Sequence, residues 1–234
     1  MRARHSSQDD EDAELTAPSA AALQELVTVP AGYSAILHGG VDSLVALLNS
    51  SEAEAVKTAA LGIVQYLAST GDGQRVLGRN AAAPPLVRLA VNAESASAQA
   101  TARRILCDLA KEPTALSNLI AAGTVAVLVG QLKSTQTAHD QESALAALAQ
   151  LSGARREAPD GSLVWAGGQE ALARDSAAPP LVALLQSGSV RAQQHAMLTL
   201  HNLARCAETR SALAPVEGAV GACVQVSANA VASS

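Results

Sequence analysis

The chain of 234 residues contains no phenylalanine, and its aromatic inventory is one tryptophan, Trp165, and two tyrosines, Tyr33 and Tyr66. A β-sandwich core draws on aromatic and β-branched strands, and none is evident. Cysteine is scarce as well. Cys107, Cys206 and Cys223 are odd in number, widely spaced and without a CxxC pair, which excludes a disulfide framework and reads as small buried residues in a reducing compartment. Excess positive charge is missing too. The net charge is −5, of which −3 falls in residues 1–14, so the body is nearly neutral and carries no footprint for nucleic acid. The longest largely apolar run, Leu119–Gly130, is too short to cross a bilayer, so no membrane partner is expected. "MRARHSSQDD" has no apolar core of a secretory signal, Arg2 excludes myristoylation and "VASS" is no prenylation box. A soluble protein of the cytoplasm or nucleus is expected.

Chemical motifs are also wanting. No Gly-Lys pair exists, so there is no phosphate-binding loop of the GxxxxGK type, and neither GxSxG nor HExxH occurs. His139, Asp140 and Ser143 are close in sequence, but catalytic triads are assembled from distant elements. His195 and His201 share a helical segment at a separation of roughly 240° around its axis, so they cannot clasp one metal. The expectation is a non-enzyme with no catalytic residue, no cofactor and no metal.

What the chain does have is alanine, leucine and valine; apolar residues make up 49%. Alanine is the best helix former and fills space only where backbones approach closely, which describes packed helices. The hexapeptide "AAPPLV" occurs at Ala82–Val87 and again at Ala177–Val182. Its Leu-Val pair recurs at Leu44, Leu86, Leu128 and Leu181, with a degenerate copy at Cys223, at spacings of 42, 42, 53 and 42. A period in this range marks a solenoid, here with an 11-residue insertion. A second register agrees. Val56, Ala59, Ala60, Ile63, Val64 and Leu67 form one apolar face of a helix. The stripe returns in each unit, with Ala60, Ala102, Ala144 and Ala196 in one column and Leu67, Leu109, Leu151 and Leu203 in another. Proline is tolerated in a first helical turn, so "PPLVRL" reads as a corner followed by a helix. Each unit is therefore a short helix, a corner, a second helix, a polar turn and a longer third helix.

The segments "GTVAVLVGQL" and "AAPPLVALLQSGSVRAQQHAMLTLHNLA" resemble the armadillo repeat family. The likeness covers about residues 31–226. It implies an all-α, right-handed armadillo-type α-solenoid whose third helices line a concave groove that grips a partner's extended segment. In such proteins an asparagine near the end of helix three bonds the peptide backbone. That column here is Tyr66, Asp108, Gln150 and Asn202, of which only Asn202 matches outright. One turn earlier, where importin-α has tryptophan, stand Gly62, Arg104, Ala146 and Leu198, so nuclear-signal binding by that mechanism is not expected. The groove candidates are Tyr66, Arg104, Asp108, Gln150, Leu198 and Asn202. Arg104 and Asp108 also have the spacing of an intrahelical ion pair.

The insertion falls within "GARREAPDGSLVWAGG", at residues 153–168. Pro159-Asp160-Gly161 is turn chemistry and Trp165 an apolar anchor, either tacking the loop down or meeting a partner, with Arg155 and Arg156 flanking it. The organisation expected is an acidic disordered tail (1–14), a helical cap (15–38), repeats at 39–80, 81–122, 123–175 and 176–217, and an incomplete repeat (218–234). That last piece has no polar cap. The array is therefore expected to be a fragment, to be covered by a partner, or to associate end to end. The function expected is a protein interaction module that binds a protein or peptide segment. The alternatives are an interaction region of a larger assembly such as a ubiquitin ligase and, less favoured, a nuclear transport adaptor.

Overall fold

The computed structural model describes Glu25 and residues 27–49, 54–134 and 137–210. The acidic tail, residues 15–24 of the expected cap and the incomplete last repeat lie outside the described residues. The chain divides into two compact units, Met1–Ile105 and Leu106–Ser234.

In the first unit the helices are α1 (Pro30–Ala35), α2 (Val41–Asn49), α3 (Glu54–Ala68), α4 (Gly71–Arg79) and α5 (Ala83–Asn92), then α6 (Ala96–Leu109) as far as the boundary. A π-helical turn, Ile36–Gly40, joins α1 to α2. The run Pro30–Asn49 is 20 residues long with a mean hydropathy of 1.3, enough by length and composition to cross a bilayer. It exceeds the apolar run singled out in the sequence because Ser34, His38 and Asp42 interrupt it by eye without lowering its average far. Its Val41, Leu44 and Leu48 are buried, and α2 packs on α3 and α5. Thr70 caps α4, its hydroxyl accepting the Gly73 N–H at 3.1 Å, which satisfies one of the donors a helix start leaves open.

The second unit continues with a short 3-10 turn (Pro113–Ala115), α7 (Leu116–Ala121), α8 (Thr124–Lys133), α9 (Ala138–Gly153), α10 (Gly168–Arg174), α11 (Ala178–Ser187), α12 (Val190–Arg205) and α13 (Ala207–Arg210). Between α9 and α10 runs an antiparallel hairpin of β1 (Arg155–Glu157) and β2 (Leu163–Trp165). The helices follow the order short, second, long. The segment Pro113–Ala121 meets α8 at 83°, and α9 lies against both α8 and α12. Thr137 and Ser189 cap the long helices α9 and α12, each accepting an N–H three residues on at 3.2 Å.

The corners share a backbone state that composition hides. Ala81, Gly123 and Ser176 precede α5, α8 and α11 at left-handed φ of 51°, 86° and 53°. Glycine adopts that region freely and the other two pay a steric cost for it. The turn then places Pro84-Pro85 and Pro179-Pro180 in the first helical turn, where a missing N–H leaves no bond unmade.

Burial follows the repeat columns. Ala60, Ala102, Ala144 and Ala196 are buried, as are Leu67, Leu109, Leu151 and Leu203. Each enclosed leucine or isoleucine contributes roughly 1.5–3 kcal/mol relative to exposure. The alanines contribute by letting neighbouring backbones draw near.

Candidate functional site

Among the six groove candidates, Tyr66 and Arg104 belong to the first unit. Tyr66, 41% exposed on α3, meets Tyr33 of α1 edge to face, with ring centroids 6.1 Å apart and planes at 76°. The Tyr33 hydroxyl and the Thr70 hydroxyl share a hydrogen bond of 2.7 Å, which fixes the ring against which Tyr66 leans. Arg104 is exposed on α6. The same unit holds a shallow cleft of about 210 Å³ lined by Leu48, Asn49, Lys57, Arg88, Leu89 and Asn92, among others. Arg88 donates to the Asn49 side-chain oxygen there. No motif marks it, because its residues come from three different helices.

The other four candidates lie in the second unit. Asp108 accepts from Lys111 at 2.6 Å, in place of the Arg104 partner its spacing allowed. A lysine two residues beyond the end of α6 reaches the carboxylate more directly. Gln150 on α9 and Leu198 on α12 are exposed, Leu198 by 47%. Asn202 is only 7% exposed. Its amide nitrogen donates to the Ser152 hydroxyl at 2.9 Å, which in turn donates to the Ala149 carbonyl at 2.8 Å. The asparagine thus ties α12 to α9, and Ser152 was missed because it matters only once those two helices lie side by side. Gly153 lies against this junction, where a Cβ would meet the Asn202 amide at an ordinary contact distance of 3.4 Å.

The loop candidates stand beside this junction. Residues Arg155↔Trp165, Arg156↔Val164 and Glu157↔Leu163 pair across the hairpin. The Ala166 N–H donates to the Ala154 carbonyl at 3.0 Å and closes its base. At the tip, Gly161 takes φ 79°, and the Ser162 N–H and hydroxyl both donate to Asp160 Oδ1, at 3.0 and 2.6 Å. Those donors hold the Asp160 carboxyl below the usual carboxylate range. The Trp165 ring is half-buried and meets two guanidiniums: Arg155 lies 4.6 Å from its centroid, and Arg205, at the end of α12, 5.9 Å. Arg156, on the opposite strand face, is exposed. Arg205 was not singled out in the sequence, and nothing there linked it to the insertion.

Among the described residues no three His, Cys, Asp or Glu side chains gather to hold a metal ion. Cys107 and Cys206 are buried thiols outside any disulfide. Burial, with Asp108 adding to it, pushes the Cys107 thiol up to about 12, so at neutral pH it is protonated and a poor nucleophile.

Three-dimensional comparison decides the architecture. A computationally designed armadillo repeat protein for modular peptide recognition superposes with a TM-score of 0.67 at 25% identity, over 86% of this chain and 82% of that one. A designed armadillo repeat protein in complex with the peptide (KR)4 gives 0.64 at 23%, over 88% and 82%. A further designed armadillo protein gives 0.63 at 22%, over 88% and 92%. The fold is that of the armadillo repeat. Its class is all-α, an α-solenoid, with the hairpin as an addition. No family model and no curated protein matches the sequence. In armadillo terms, α3, α6, α9 and α12 are third helices, and Gln150 and Leu198 lie on two neighbouring ones.

Proposed function

We propose that this chain is a non-enzymatic scaffold that binds a peptide or protein segment on the surface of its third helices. The observation that carries this reading is the pairing of α9 with α12. Two adjacent third helices are locked by the Asn202–Ser152 bond and present Gln150 and Leu198 to solvent. Preorganised helices bind without paying to order themselves, and exposed apolar and amide groups recognise side chain and backbone respectively. The likeness to a designed protein for modular peptide recognition supports the same reading. Asn202 acts here as a strut that holds the two helices in register. A reducing compartment, cytoplasm or nucleus, goes with the two buried, unbridged thiols.

The experiment is selection from a displayed random-peptide library on the wild-type chain, followed by anisotropy titration against the variant Gln150→Arg/Leu198→Asp. Wild type is expected to enrich a consensus, and the variant to bind it at least about tenfold more weakly. Equal binding by both, or no enrichment, overturns the reading.

A further inference from the structure

We propose that the Arg155–Trp165–Arg205 cluster docks an acidic peptide segment, the two guanidiniums taking its carboxylates and the indole an apolar side chain next to them. This rests on the peptide-binding reading above and gives it a charge sign and a location.

The cluster is built from two independent elements. Arg155 stands directly across the hairpin from Trp165, while Arg205 arrives from α12. Leu163, two residues before Trp165 and so on the same strand face, is 65% exposed. Leu198 lies two turns before Arg205 along one side of α12. Apolar surface therefore flanks the cations on both sides. Among the described residues neither arginine has a carboxylate partner. The ion pairs found are Asp72–Arg75, Asp108–Lys111 and Arg174–Asp175, all elsewhere. Asp160, at the hairpin tip, is engaged by Ser162. Glu157 shares the face of Arg155 and is the one acid of the two strands, set against Arg155, Arg156 and Arg205.

A guanidinium laid over an indole has already lost much of its rotamer freedom and still points its N–H edge outward. Two such groups with no internal partner suit carboxylates in bidentate geometry. The charge sign is opposite to that needed by the (KR)4 peptide of the designed neighbour. The nearly neutral body offers no extended basic track for a nucleic acid, which favours a short acidic peptide at this local pair of cations.

Trp165 is the only tryptophan, so its emission reports on this cluster alone. The probe is a ten-residue peptide of Asp and Glu with a central Leu, compared with one carrying Lys at every acidic position. The acidic peptide is expected to shift Trp165 emission saturably and the basic one to leave it unchanged. Arg155→Gln/Arg205→Gln is expected to weaken binding at least about tenfold, while Arg174→Gln leaves it as in wild type. Circular dichroism checks the fold, and Arg205→Gln alone, outside the hairpin, serves if the double variant loses helicity. An unmoved emission with the acidic peptide, or unchanged affinity in the arginine variants, overturns the proposal. A library peptide that binds by anisotropy without touching Trp165 emission overturns it too, but leaves the general peptide-binding reading standing. Failure of every peptide overturns both.

Discussion

Replacing Gly168 by alanine tests how closely α10 is seated under the end of α9. A Cβ at Gly168 would lie 2.0 Å from the Leu151 carbonyl oxygen, 2.8 Å from its carbon and 3.3 Å from the Ser152 nitrogen. All three are backbone atoms of the last turn of α9, so no side chain can swing aside. Overpacking costs about 1–3 kcal/mol, and immobile neighbours put this site at the upper end. Helix propensity returns something less than the ~1 kcal/mol that alanine gains over glycine in a helix interior. The net loss of about 2 kcal/mol lowers the melting temperature by roughly 4–8 °C in a chain of this size. Gly130 is the control. It lies on the exposed side of α8 with nothing within 4 Å of a built Cβ, so Gly130→Ala keeps only the propensity gain, about 1 kcal/mol or roughly 2–4 °C upward. Both are read by thermal melts in far-ultraviolet circular dichroism. A Gly168→Ala protein as stable as wild type would refute the close approach, and with it the anchoring of α10 from which the hairpin takes its position.

Other tests follow from the same packing. Ser152→Ala leaves the buried Asn202 amide without its acceptor and should cost about 1–3 kcal/mol by urea midpoint; adding Asn202→Leu should recover part of that. Gly123→Ala forces a Cβ into the left-handed corner and should cost about 1–2 kcal/mol, whereas Ala81→Gly should be neutral or gain about 0.5 kcal/mol, since relief of strain is offset by chain entropy. The unfolded Cys107 thiol ionises near 9.0 and the folded one only at about 12. Its contribution is therefore full below pH 9 and is lost as pH climbs toward 12, so Cys107→Ala should flatten alkaline destabilisation measured by urea titration.

The repeat was legible because its signal is redundant. A Leu-Val anchor, an alanine column and a leucine column each mark the same period, and each column is buried. The proline corners were legible through the fixed φ of proline. The left-handed residues before them were not, because only Gly123 has the expected type; at Ala81 and Ser176 tertiary packing overrides local preference. The hairpin escaped for a similar reason. Two three-residue strands give too little alternation to stand out beside a turn, and their pairing needs the closed base at Ala154 and Ala166. The tryptophan and Arg155 were visible as residue types, but Arg205 joins them only through the stacking of α12 on α9. Asn202 was read from its resemblance to a family column. Its actual partner sits 50 residues away in sequence, on a helix whose rotation no motif specifies.

The bond between Ala154 and Ala166 has a practical corollary. The chain departs from the helical stack and rejoins it at a single neck, and the hairpin beyond it is a handle that meets the stack again through Trp165 on Arg205. Exchanging the handle for a longer one costs only the slowly growing entropy of closing a larger ring. The junction is therefore a grafting point, where new recognition surface can be hung next to the third helices without rebuilding the stack that carries it.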